Sequence, residues 1–158
     1  MNIQNNNGTT ILGTLIKNEE LLSKLYNKYS QVFIDDTKFW NEISNDETEH
    51  ASWIYDLSVK VSNGDLYISN DRFTNETFIS FGEYVNEQIE NANTDGMTSI
   101  DALSIAKNVE NSMLETALFK IYDTDDPQLK LVLDKLKKST ELHCAEVKKR
   151  WQQELNNS

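Results

Sequence analysis

Glu47-Thr48-Glu49-His50 sets a carboxylate and an imidazole three residues apart, the spacing that puts both on one face of a helix. Together they offer oxygen and nitrogen to one divalent cation. With no thiolate nearby, the pair suits iron or manganese, with zinc as the alternative. Alone it is weak, since such pairs are common in charged helices, and its meaning depends on where it lies.

It lies in an apolar seam. Residues three and four apart give Leu12, Leu15 or Ile16, Glu19, Leu22, Tyr26, Tyr29 and Phe33 in a first helix. A second gives Phe39, Ile43, Glu47, His50, Ile54, Leu57 and Val61. A third gives Leu103, Ala106, Glu110, Met113, Ala117 and Ile121, and a fourth Leu129, Leu133, Leu136, Thr140, His143, Val147 and Trp151. Each seam is apolar at both ends and polar in the middle. Three carboxylates and two imidazoles converging in an apolar interior need compensation, because an unpaired buried carboxylate costs several kcal/mol or takes up a proton. A divalent cation bound by Glu19, Glu47, His50, Glu110 and His143 supplies it.

One proline and five glycines in 158 residues leave few breakers, so the elements that hold these residues are helices. The pattern predicts helices over about 10–33, capped by Thr9 or Thr10, and about 36–62, stopped by Asn63-Gly64. A third spans about 98–123, with Thr98 and Asp101 as a capping box, and a fourth about 127–155, opening at Asp126-Pro127. Lys148, Lys149 and Arg150 read as a basic helix end facing the dipole. Two connections are short, which makes antiparallel neighbours, and the connection from Gly64 to Met97 must cross over. A short helix over 74–92 fits inside it, with Phe78, Phe81 or Gly82, Val85 and Ile89 inward. That crossover carries seven acidic residues against Arg72, read as a solvated face. The whole, residues 1–158, reads as a single all-α four-helix bundle.

Twenty-six acidic against 15 basic residues, a net charge of -11, repel phosphate backbones and anionic membranes. The expected partners are metal ions, with no nucleic acid and no membrane. No leader and no span of about 20 apolar residues is visible, so a cytoplasmic protein is expected. The single Cys144 excludes an internal disulfide framework and any Cys-x-x-Cys zinc or rubredoxin-type iron site, and is read as a small buried side chain. Glu20 and Glu49 read as surface charges, and Trp40, Trp53 and Trp151 as packing anchors.

These residues resemble the ferritin-like superfamily, and within it the rubrerythrin-type proteins, over about residues 10–152. Glu19 matches the first-helix glutamate, with Tyr26 one heptad on. Glu47 and His50 match the Glu-x-x-His of the second helix, Glu110 the third-helix glutamate, and His143 the fourth-helix histidine. The resemblance implies up to two irons and an oxidoreductase acting on oxygen or peroxide with an external electron donor. It also implies a homodimer. Thr140 stands where the pattern has a bridging glutamate, and Met113 where rubrerythrins add a second glutamate; Glu141 is rotated about 100° away. The alternative is a non-catalytic ferritin-like bundle holding one metal ion or none.

Overall fold

A computed structural model describes residues 3–66, 75–92, 96–115 and 126–157. Among the described residues the chain is all helix, with no strand. The helices are α1 (Ile3–Val32), α2 (Thr37–Ser62), α3 (Asn75–Asn91), α4 (Ser99–Glu115) and α5 (Pro127–Asn157). A single 3₁₀ turn, Ile34–Asp36, joins α1 to α2. The expected run of the third helix to about 123, with Ala117 and Ile121, lies outside the described residues.

Local chemistry sets most of the boundaries. At the start of α4, Thr98 N–H donates to Asp101 Oδ2 (2.9 Å) and Asp101 N–H to Thr98 Oγ1 (3.2 Å), a reciprocal capping box. That contact holds the Asp101 carboxyl below its ordinary value through the Thr98 backbone N–H. At α5, Asp126 Oδ1 accepts from the backbone N–H of Gln128 (2.9 Å) and Leu129 (3.0 Å), and Pro127 takes the first helical position. Helix α2 ends at Ser62, and just past it Gly64 has a φ of +79°, the left-handed conformation that favours glycine.

Two expectations change, at the first helix and the last. Helix α1 starts at Ile3, so Thr9 and Thr10 lie within it and cap nothing. Asparagine and glycine cost at most about 1 kcal/mol each in a helix, so an Asn-rich stretch does not stop one as proline does. Asp36 precedes α2 but makes no side-chain cap; it binds Arg150 and accepts from Ser99 Oγ instead. Helix α5 runs to Asn157, so Lys148, Lys149 and Arg150 are not its last turn. Arg150 lies over the Phe39 ring at 4.6 Å.

Helix α1 packs along α2 and α3, and α5 along α4 and, more lightly, α2. Contacts between α2 and α5 run in opposite directions along the chain, Lys60 with Gln128, His50 with Ser139 and Asp36 with Arg150, so these helices are antiparallel. Helix α3 closes on α1 because position 82 is glycine; a Cβ there would lie 2.5 Å from Asn18 Oδ1, while Asn18 Nδ2 donates to Phe78 O at 2.9 Å. One apolar core takes side chains from all five helices. Every described seam residue is buried except Ile16, Phe33 and Trp151, which are half-buried. No helix among the described residues is long and apolar enough to cross a membrane.

Candidate metal centre

Glu19 from α1, Glu47 and His50 from α2, Glu110 from α4 and His143 from α5 meet at one level of the core, each at most 2 % exposed. All five residues expected from the sequence are brought together. Their donor atoms form two sets, Glu19 with Glu47 and His50, and Glu47 with Glu110 and His143, in each of which the atoms lie within 4.8 Å of one another. Glu47 belongs to both sets.

Both imidazoles turn Nδ1 inward. His50 Nδ1 is 2.9 Å from Glu47 Oε2 and 3.7 Å from Glu19 Oε2; His143 Nδ1 is 3.0 Å from Glu47 Oε1 and 3.7 Å from Glu110 Oε1. The outer nitrogens are held as well. His143 Nε2–H donates to Asp46 Oδ2 (3.0 Å), and His50 Nε2 lies 2.7 Å from Ser139 Oγ. Tyr26 O–H donates to Glu110 Oε1 at 2.6 Å, so this tyrosine is both seam packing and a partner of the cluster. Trp53 flanks the His50 ring at 5.2 Å.

Asp46 and Ser139 are the members that seam reading misses, because each sits one residue off the seam. An acceptor beside the outer nitrogen of a ligating histidine is a general need. Off-seam Glu49 and Glu141 satisfy the same search and are exposed, so the signal in the sequence does not single out Asp46. Thr140 is buried, and its hydroxyl donates to Leu136 O at 2.9 Å, away from the cluster's carboxylates. Glu20 is exposed as expected, and Cys144 is half-buried, its thiol pushed up to about 11 by burial.

The charges are balanced by protons. Burial, and then the Glu47 charge, raise Glu19 well above the carboxylate range. The same two causes, in that order, bring Glu110 to about 7. Burial also pushes Glu47 up, but the close approach of Glu19, His143 and His50 outweighs it and holds Glu47 well below its ordinary value. Burial lowers the histidines, while the carboxylates of Glu19, Glu47 and Glu110 beside their rings lift His50 to about 10 and His143 to about 12.

Protons do not satisfy every atom. Glu19 Oε2, Glu47 Oε1 and His143 Nδ1 are buried with no hydrogen-bond partner among the described residues. His143 Nδ1 and Glu47 Oε1 are close, at 3.0 Å, yet the ring N–H direction misses the oxygen. Unfilled carboxylate and imidazole donors converging from four helices fit a cation, and an all-oxygen-and-nitrogen set fits iron, manganese or zinc. Comparison with protein-family models, with curated proteins and with solved structures finds no match.

Proposed function

We propose that this protein is a ferritin-like four-helix bundle, formed by α1, α2, α4 and α5 with α3 in the crossover, that binds two metal ions, foremost iron. Glu19, Glu47 and His50 would hold one ion, and Glu47, Glu110 and His143 the other. The observation that carries this reading is the pair of buried donor sets sharing Glu47, with orphaned acceptor atoms in both. Bound iron would supply one-electron redox chemistry toward oxygen or peroxide, as in the rubrerythrin-type proteins these residues resemble, with electrons from an external donor.

The chain's own residues prepare the site. Asp46 and Ser139 orient the two imidazoles through their outer nitrogens, leaving Nδ1 as the donor. Tyr26 fixes Glu110. The apolar rows on either side exclude water, which strengthens each charge interaction within. Glu19, His50 and His143 would release protons to accept ions, so loading is coupled to pH.

A second reading has its own support. With protons on Glu19 and both histidines, the cluster approaches neutrality without any ion, and Thr140 supplies no second bridging carboxylate. On that reading the bundle is non-catalytic and the polar layer sets helix register. Elemental analysis after anaerobic ferrous loading separates the two. Two irons per chain, lost in Glu47→Ala while the helical signal persists, is the expected result. A metal content unchanged by Glu47→Ala, or no retained metal, rejects the two-ion site.

A further inference from the structure

Two charged features stay outside the polar cluster, the acidic crossover and the basic residues of α5. In the described part of the crossover, α3 carries Glu76, Glu83, Glu87 and Glu90 and no basic residue. At 100° per residue these four fall within about 60° of one another, over a length of about 21 Å. All four are exposed, with Ile79 at 45 % at the edge of their arc, and none has an ion-pair partner among the described residues. Helix α5 is the opposite case, with seven basic and four acidic residues in a chain of net charge -11. Leu131, Lys135, Lys138, Leu142 and Lys149 share one outer face, again within about 60°, over about 27 Å. Leu131 and Leu142 are each 63 % exposed, far more than leucines beside a formed core need to be. Of the three lysines, Lys135 is engaged over the Trp53 ring at 4.6 Å.

These stripes are opposite in sign and similar in length, and each has exposed apolar side chains at its charges. They do not meet within one chain, because α3 lies against α1 while α5 lies against α4 and α2. We infer that the outer face of α5 docks on the outer face of α3 of a second copy of this chain. Helix lies on helix, with lysines against glutamates and Leu131 and Leu142 beside Ile79. Because one stripe binds a different stripe, the contact is heterologous, and copies add head to tail, into a ring if the rotation between them closes and into an open chain if it does not. Nothing in this contact depends on the metal site.

Sedimentation velocity of the full chain tests it, at protein concentrations up to millimolar. Association is expected at about 0.01 M ionic strength, where the screening length is about 30 Å, and its loss at about 1 M, where it is about 3 Å. The variant K135E/K138E/K149E and the variant E83K/E87K/E90K should each remain monomeric with an unchanged circular dichroism spectrum. Mixed together, they should associate again, since each supplies the face the other has lost. A wild-type monomer under all conditions overturns the proposal, as does association that survives either reversal or a mixture that fails to recover. Flotation with vesicles containing anionic lipid, abolished by the α5 reversal in a monomeric wild type, would assign the α5 face to a membrane surface instead.

Discussion

Two adjacent layers of the core are equally buried and differently built. In the aromatic layer, Trp40 meets Tyr29 at 4.9 Å, Phe39 at 5.0 Å and Tyr26 at 5.7 Å, and three of these four rings are 0 % exposed. One step along the seam, Glu19, Glu47, His50, Glu110 and His143 fill the same kind of space with titratable groups. Both layers contain orphaned polar atoms, Tyr29 Oη and Trp40 Nε1 in the first and Glu19 Oε2, Glu47 Oε1 and His143 Nδ1 in the second. The difference is in what offsets them. An unpaired indole N–H costs about 1–3 kcal/mol and rides on a large apolar ring whose burial is worth more. An unpaired carboxylate has no such body, and only a proton or a cation relieves it. Being unsatisfied is therefore not itself a mark of function. Unsatisfied charge with converging donors is.

Core truncation should break the aromatic layer hardest. Trp40→Ala is expected to cost about 3–5 kcal/mol in chemical denaturation, with or without metal. The polar layer should behave oppositely. Replacing it wholesale (Glu19→Leu, Glu47→Met, His50→Leu, Glu110→Leu and His143→Leu, with Tyr26→Phe) should leave the apo protein unchanged or more stable by up to about 4 kcal/mol. The same variant should lose all stabilisation by added metal. A large loss of apo stability would mean the polar network itself holds the core together.

A smaller effect separates ligand from orienting group. Asp46→Ala should weaken ion affinity about 10- to 100-fold in calorimetric titration while leaving the number of ions bound unchanged, because Asp46 acts through His143. The smallest effect is a slope with pH. The folded apo chain keeps protons on His50 and His143 to about 10 and about 12, whereas the ordinary value is 6.5. The folded state thus binds more protons, and apo stability should fall from pH 7 to 9 by up to about 1.4 kcal/mol per pH unit for each proton retained. Glu47, held low, contributes only above its ordinary 4.5, and that contribution is lost in more acid solution. Metal binding displaces the histidine protons, so metal-dependent stabilisation should rise with pH up to about 10, where His50 loses its proton unaided. Parallel slopes for the two forms would contradict the assignment of these protons to the metal donors.

Much of this was legible in the sequence because the 3.6-residue period marks each seam and the polar interruptions fall at one level. Thr98 with Asp101, and Asp126 before Pro127, located two helix starts because capping is local chemistry. The start of α1 was not legible, since an Asn-rich stretch gives no stop signal and its helix is extended from a packed segment. The pairing of Asp36 with Arg150 joins residues 114 apart, so no local pattern reveals it. Ser139 and Asp46 could not be chosen among similar off-seam residues without knowing how α5 lies on α2. The seam positions of Glu19, Glu110 and His143 were readable; the sharing of Glu47 between two donor sets depends on the packed geometry.

The central claim, that the polar layer is a two-ion site organised around Glu47, is tested most directly by anomalous scattering at the iron edge from crystals loaded anaerobically with ferrous ion. The account predicts two peaks inside the core, one beside Glu19 and His50 and one beside Glu110 and His143, both in contact with Glu47. Peaks only on the surface, or an iron-free core with the side chains unchanged, would contradict it.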